Sequence, residues 1–142
     1  MATSHTHVFP VRVYYEDTDF SGYVYHANYL KFCERARSDL IRERGVDQNA
    51  LASGDRKLFF VIRRMDCQFL KPAWFDDVLT VETIPVETAG ARFEMKQRIL
   101  RGEDLLFSAD VTAVLIDGRG RPVRIPATVA EKLAVQPHPA KP

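Results

Sequence analysis

The sequence is poor in cysteine and has no long apolar run. Its two cysteines, Cys33 and Cys67, exclude a disulfide framework and a paired Cys-x-x-Cys metal knuckle. The longest apolar run is the five residues at 58–62, whereas a membrane-spanning helix needs about 18. Residues 1–10 are polar and lack the basic start and apolar stretch of a secretion signal. These absences predict a cytoplasmic protein with no membrane span.

The charge is almost balanced, with 20 basic and 19 acidic side chains and a net charge of +1. Such a chain has no overall field to attract nucleic acid or an anionic membrane, so neither is an expected partner. Apolar residues make up 46% of the 142 residues, which is enough for one domain with a full core. We predict a single domain over 8–133. Flexible termini are expected at 1–7, which includes His7, and at the proline-rich residues 134–142.

Local periodicity predicts one long helix and five strands. Residues 8–15 alternate between apolar and polar side chains, as a strand does. Apolar side chains then recur three and four residues apart from Tyr29 to Leu40, which predicts a helix over 27–44 that ends at Gly45. Turn signals separate four more strand-like segments, at 58–70, 78–88, 91–101 and 104–117.

Short connections predict that the last four strands form an antiparallel meander, with a bulge or an edge at Pro85 and a short helix after Pro126. The long helix must bury its apolar stripe against one sheet face. The predicted fold is therefore α+β, a five-stranded antiparallel sheet wrapped around one long central helix. Open sheet edges and apolar residues on the second face, such as Leu106, Val114 and Ile116, predict a homodimer or homotetramer.

Three carboxylates, Glu16, Asp17 and Asp19, lie between the first strand and the start of the helix. A helix N-terminus offers backbone N–H groups that lack intrahelical acceptors, and it carries a partial positive charge. A carboxylate beside such donors can act on water while the donors hold a developing oxyanion. The same residue types are also common in turns and helix caps. By spacing alone, an ordinary acidic turn is the commoner explanation.

A longer pattern surrounds these carboxylates. The chain reads VRVYYEDTD over 11–19, then Gly22, then VYHANY over 24–29, and ERAR over 34–37 on the predicted helix. This pattern resembles the signature of the hot-dog-fold acyl-CoA thioesterases of the 4-hydroxybenzoyl-CoA thioesterase type, most of all the YbgC-like branch associated with the Tol-Pal cell-envelope system. The resemblance extends over about residues 8–133. Weaker matches are LKPA at 70–73, DDVL at 76–79 and PVRIP at 122–126.

The resemblance implies an enzyme that hydrolyses an acyl-CoA thioester without a cofactor, with acyl-carrier protein as a possible second carrier of the substrate. It implies that Asp19 is the catalytic carboxylate, either as general base on water or as nucleophile. It places at His26 a backbone N–H that polarises the thioester carbonyl, and a side chain that binds water or substrate. Tyr15, Gly22 and Tyr25 would shape the pocket. We therefore expect the Asp19 side chain to point into a cleft beside that amide.

Coenzyme A carries phosphates, so basic side chains should contact it. The candidates are Arg92 and Arg124, with Lys71 as a weaker choice. An alternative remains for Arg92, because charges at every second position are typical of a solvated strand face. Asp17 is expected to brace the loop through hydrogen bonds.

Other reactive side chains predict structural roles. Cys33 and Cys67 fall in core-like positions, and the four histidines have no metal-ligand spacing, so no metal is predicted. Two alternatives to hydrolysis stay open. One is a protein of the same fold that binds acyl-CoA or acyl-carrier protein without cleaving it. The other is a hot-dog dehydratase, which needs a catalytic His paired with an acid, and only His26 is available. The motif around Asp19 favours hydrolysis.

Overall fold

The computed structural model describes residues 6–133. Its elements follow the predicted order, with one additional helix. They are β1 (His7–Arg12), a 3₁₀ helix (Tyr15–Asp17), α1 (His26–Glu43), α2 (Gln48–Ser53), β2 (Phe59–Phe69), β3 (Val78–Ala89), β4 (Arg92–Arg101), β5 (Asp104–Ile116) and α3 (Ala127–Leu133).

The five strands form one antiparallel sheet in the order β1-β3-β4-β5-β2. The predicted meander is correct for β3, β4 and β5 but wrong for β2, which pairs with β5 at the far edge. The connection over 70–77 permits this crossing. Its eight residues can span about 26 Å, whereas β2 and β3 lie only three strand spacings, about 14 Å, apart.

Helix α1 packs its apolar stripe against the concave face of this sheet. Cys33, Ala36 and Leu40 are fully buried there, as predicted, and so is Phe32. Burial raises the pKa of Cys33 to about 12, so this thiol is a core group and not a nucleophile. The helix ends before Gly45, which has a φ of +84°, because a left-handed conformation favours glycine. The α+β fold with a central helix is confirmed.

The convex face of the sheet is charged. Arg98 donates to Glu82 at 2.6 Å, and Lys96 donates to Asp110 at 3.0 Å. The prediction of an apolar second face is therefore wrong. Leu106 and Val114, two of the side chains assigned to that face, are buried within this chain. The segments at 70–71 and 122–125 form backbone hydrogen bonds with β5 and with Gly90 near these positions. Exposed apolar side chains lie instead on the edge strand β2, at Phe59, Val61 and Ile62.

Three local assignments need correction. The first strand ends at Arg12 and not at residue 15, because Tyr15–Asp17 turn into the 3₁₀ helix. His7, predicted to lie in a flexible terminus, begins β1 and is 5% exposed, with Nε2 2.8 Å from Asp39 Oδ2. Helix α2 was not predicted, although Asp47 caps it by accepting from the Ala50 N–H.

Two other predictions about this part of the chain hold. The pairing of β3 with β4 shifts register between Pro85 and Glu87, which confirms the bulge. A short helix does follow Pro126. Residues 1–5 and 134–142, predicted to be flexible, lie outside the described residues. No helix within 6–133 is both long and apolar enough to cross a membrane.

Candidate active site

The loop between β1 and α1 is fastened to the segment that precedes β3. Val13 donates its N–H to the Asp77 carbonyl at 2.9 Å, and its own carbonyl accepts from the Asp76 N–H at 2.9 Å. Farther along the loop, Val24 donates to the Ala73 carbonyl at 2.8 Å. Backbone hydrogen bonds at both ends therefore hold the loop in place, although it belongs to no sheet or long helix.

Asp17 braces this loop from within, as predicted. Its Oδ2 accepts from the Tyr14 N–H at 2.8 Å. Its carbonyl accepts from the Tyr25 N–H and from Asn28 Nδ2, both at 2.9 Å. Asn28 is buried on the first turn of α1. The carboxylate of Asp17 is thus engaged within the loop, and Asn28 is a supporting residue that sequence reasoning missed.

The start of α1 lies directly after this loop. His26 is the first residue of the helix, one position earlier than predicted, and the N-cap residue Tyr25 offers no side-chain hydrogen bond. Because the first amides of a helix have no intrahelical acceptor, the N–H groups of His26 and Ala27 are suitable donors to an oxyanion. The His26 ring packs against Tyr25 and Phe69, at centroid distances of 4.7 and 6.0 Å.

Asp19 occupies the tip of the loop. Its N–H donates to the Tyr23 carbonyl at 3.0 Å, and its carbonyl accepts from the Gly22 N–H at 2.9 Å. Gly22 has a φ of +89° and open space where a Cβ would stand, so the turn uses its positive φ and not a close approach. Hydrogen bonds from the side chain and then the backbone of Ser21 lower the pKa of Asp19, and the charge of His26 adds a smaller effect.

The expected cleft around Asp19 is not formed by one chain, because its side chain is exposed. The surrounding aromatic side chains are exposed as well, and they touch each other in pairs. Tyr15 lies edge-on to Phe75 at 6.3 Å, and Tyr23 lies edge-on to Trp74 at 5.0 Å. We call this exposed set the aromatic rim, which consists of Tyr15, Phe20, Tyr23, Tyr25, Trp74 and Phe75.

An aromatic cluster packs at the start of α1, with Tyr29 and Phe107 buried and Phe69 exposed. The Tyr29 ring stacks on Phe107 at 5.4 Å with an interplanar angle of 9°, and Phe69 lies edge-on to Phe107 at 5.1 Å. Tyr29 Oη also accepts a hydrogen bond from the Ala73 N–H at 3.0 Å. The cluster thus joins the first turn of α1, the sheet and the segment that holds the loop.

Arg92 lies far from Asp19 within one chain. It pairs with Val114 on β5, whereas Phe69, which touches His26, pairs with Phe107. The seven residues from Phe107 to Val114 correspond to about 23 Å of strand. The Arg92 guanidinium also forms an ion pair with Glu94, as in a solvated strand face.

The other candidate cations lie at opposite ends of the sheet. Arg124 is exposed at the Arg92 end, since the next residue, Ile125, donates its N–H to the Gly90 carbonyl at 2.9 Å. Lys71 precedes the segment that holds the loop between β1 and α1, and its Nζ lies 3.4 Å from Asp104 Oδ1. The structure therefore places Tyr15, Asp19, Gly22, Tyr25 and His26 on one loop and the start of α1, and Arg92 and Arg124 lie at a distant end of the sheet.

Within the described part of the chain, no three His, Cys, Asp or Glu side chains are grouped so that they could hold a metal ion, and the absence of a metal stays a prediction.

Ser21 is a second residue that sequence reasoning missed. Its signal was its position two residues after Asp19, the spacing at which an Asp side chain meets a following backbone N–H.

The chain is similar in sequence to known thioesterases. A model of the thioesterase-like superfamily matches residues 13–133. The chain is 42% identical over 122 residues to the acyl-CoA thioesterase YbgC of Haemophilus influenzae, across 85% of this chain and 89% of that protein. It is 42% identical over 109 residues to the acyl-CoA thioester hydrolase YbgC of Escherichia coli, across 76% of this chain and 80% of that protein.

Solved structures agree with this assignment. A probable thioesterase from Bartonella henselae has a TM-score of 0.82 and 50% identity, across 85% of this chain and 99% of that one. A 4-hydroxybenzoyl-CoA thioesterase in complex with 4-hydroxybenzoyl-CoA has a TM-score of 0.81 at 22% identity and shows the same fold, across 92% of this chain and 99% of that one. This protein therefore belongs to the thioesterase-like superfamily and has the hot-dog fold.

Proposed function

We propose that this protein is an acyl-CoA thioesterase that hydrolyses its substrate to a carboxylic acid and free coenzyme A at the Asp19 loop. The observation that carries the proposal is the fixed position of an ionised carboxylate beside the uncapped N-terminus of α1. Relatives that are 42% identical over most of their length are acyl-CoA thioester hydrolases, and this chain has the same type of activity.

The proposed reaction needs few groups. The carbonyl oxygen of the thioester accepts from the N–H of His26, and the partial charge of the helix start stabilises the oxyanion as it develops. Asp19 either takes a proton from the attacking water or attacks the carbonyl carbon itself, forming an anhydride that water then opens. In both routes the C–S bond breaks, the thiolate of coenzyme A leaves, and water supplies the oxygen of the product acid. A thiolate leaves without a strong general acid, and no cofactor is consumed.

The neighbouring side chains have supporting roles in this proposal. The His26 ring packs against Tyr25 and Phe69 at the start of α1, where it can bind water or the thioester. Tyr15 and Tyr25 contribute apolar surface for the acyl group, and Gly22 permits the turn that aims Asp19. Because this surface is open in one chain, we also propose that a second copy covers it.

One structural observation, the exposed edge strand β2, supports the proposal of a homo-oligomer. Strand β2 has eleven residues and forms one edge of the sheet, with Phe59, Val61 and Ile62 about 40% exposed. An unpaired edge with apolar side chains is a surface for association. A homodimer or homotetramer, a cytoplasmic location, acyl-carrier protein as a partner and a link to the Tol-Pal system stay predictions.

The direct test is a thiol-release assay across acyl-CoA substrates with short, long and aromatic acyl groups. We expect at least one substrate to release coenzyme A and the free acid in equal amounts, without added metal or cofactor. Tight binding of every acyl-CoA with no thiol released would favour the binding-protein alternative. Loss of a double bond from an enoyl-CoA without thiol release would favour the dehydratase.

The proposed phosphate contacts give a separate prediction. The nucleotide end of coenzyme A lies at the far end of an extended arm from the thioester, so its contacts need not adjoin Asp19. We expect Arg92→Ala and Arg124→Ala each to raise KM for acyl-CoA about two- to fivefold, as for the loss of an exposed ion pair. KM for an acyl-pantetheine, which lacks the nucleotide, should not change.

A matched control for this prediction is Arg42→Ala. Arg42 is an exposed arginine on α1 that pairs with Asp39. It should leave KM for both substrates unchanged. Equal effects of the Arg92 or Arg124 substitution on the two substrates would exclude the phosphate role.

A further inference from the structure

We infer that Ser21 is a positioning residue that fixes the Asp19 carboxylate in one orientation and leaves a single oxygen, Oδ2, for the reaction. The inference rests on the proposed function, because it assigns a role to Ser21 through Asp19. It concerns a residue that the reaction scheme above does not use.

The geometry around Asp19 Oδ1 is specific. The Ser21 N–H donates to this oxygen at 2.8 Å, and the Ser21 hydroxyl donates to the same oxygen through a short hydrogen bond. The Ser21 Oγ in turn accepts from the Tyr23 N–H at 3.2 Å. Because Oγ accepts from Tyr23, its own proton is directed to Asp19. The backbone N–H of Tyr23 therefore orients the hydroxyl, and the hydroxyl orients the carboxylate.

These bonds make the two carboxylate oxygens different. Oδ1 accepts both hydrogen bonds from Ser21, whereas Oδ2 accepts none from any other residue in 6–133. The terminal torsion of an Asp side chain is broad when nothing restrains it. Asp19 is exposed, so the packing that would fix a buried carboxylate is missing. Ser21 supplies that restraint and leaves Oδ2 free to meet water or the thioester carbon.

The same bonds affect the ionisation of Asp19. The Ser21 hydroxyl is the largest cause that lowers its pKa below the usual 3.8, and the Ser21 N–H is the next. A lowered pKa means that the carboxylate stays charged at pH values below its usual pKa, so that activity is lost only as the pH falls through the lowered value. Removing the hydroxyl should move this loss to higher pH.

The test compares Ser21→Ala with Ser21→Thr in the full chain. Ser21→Ala keeps the backbone N–H but removes the hydroxyl, and we expect kcat to fall about tenfold, as for one hydrogen bond to a charged group. KM should change less than about twofold. The acid limb of the kcat profile should move up toward the usual pKa of an Asp. Ser21→Thr restores a hydroxyl and should recover most of kcat and the native acid limb.

Ser38→Ala is the matched control. It removes a serine hydroxyl that donates to the Glu34 carboxylate at 2.9 Å on the surface of α1, about 18 Å along the helix from His26. It should change neither kcat nor the acid limb. Thermal unfolding of each variant measures whether the fold is kept, and we expect the same midpoint for Ser21→Ala and Ser21→Thr because Ser21 is exposed.

Asp19→Asn, assayed in parallel, separates the two ways in which the inference can fail. Native kcat and a native acid limb in Ser21→Ala, with Asp19→Asn inactive, would overturn the role of Ser21 and leave that of Asp19. A lower kcat with an unmoved acid limb, or no recovery in Ser21→Thr, would show a structural role and overturn the inference too. Activity in Asp19→Asn would instead remove Asp19 from the proposed function.

Discussion

Replacing Asp19 with asparagine should lower kcat for thioester hydrolysis by a factor of about 10² to 10⁴, the usual contribution of a general base. Asparagine keeps an oxygen that can accept both bonds from Ser21, so the loop should keep its shape. It removes the negative charge, and an amide oxygen neither takes a proton from water nor forms an anhydride at a useful rate. Steady-state thiol release with the best acyl-CoA substrate measures the effect.

The control is Asp110→Asn, the same chemical change on the convex face of the sheet. Asp110 pairs with Lys96 at 3.0 Å and is exposed, so its replacement should leave kcat unchanged. Near-native kcat in Asp19→Asn would contradict the assignment. Glu16 would then be tested next, followed by Asp17, whose carboxylate already accepts a hydrogen bond from the Tyr14 N–H.

The second large effect is expected on stability. Phe107→Ala should lower the free energy of unfolding by about 3–5 kcal/mol, as for other buried phenylalanines. Phe107 is fully buried, and its ring contacts both Tyr29 and Phe69. The substitution would leave a cavity between the first turn of α1 and the sheet. Urea unfolding followed by circular dichroism measures the loss.

Phe20→Ala is the control for this prediction. Phe20 is the most exposed large apolar side chain on the aromatic rim, so its removal should change the free energy of unfolding by less than about 0.5 kcal/mol. A loss below about 1 kcal/mol in Phe107→Ala would contradict the packing of Phe107 against Tyr29 and Phe69. Since Tyr29 also accepts from the Ala73 N–H, we expect activity to fall in Phe107→Ala even where the protein stays folded.

Much of the secondary structure follows from local pattern. The spacing of Tyr29, Cys33, Ala36 and Leu40 requires one buried stripe, and all four are buried on α1. Gly22 adopts a positive φ, which few residues other than glycine adopt without strain. The motif around Asp19 carried the resemblance to the thioesterases, and the similarity of the whole chain to that family confirms it.

Other features depend on residues that are distant along the chain. No local pattern places β2 beside β5 and not beside β3, because strand order depends on contacts between segments that are distant along the chain. His7 was predicted to lie in a flexible, polar terminus. It is instead buried, and its Nε2 lies 2.8 Å from Oδ2 of Asp39, 32 residues later in the chain. Arg92 and Asp19 looked like parts of one site, and the length of β5 keeps them apart within a chain.

The sequence alone was sufficient for the α+β class, the central helix and the loop in which Asp19 lies, because side-chain periodicity and turn chemistry act between residues that are close in the chain. The strand order, the charged convex face and the exposure of Asp19 became known only from the folded chain. These properties depend on contacts between segments that are distant along the chain. Local sequence alone does not determine the energy of such contacts.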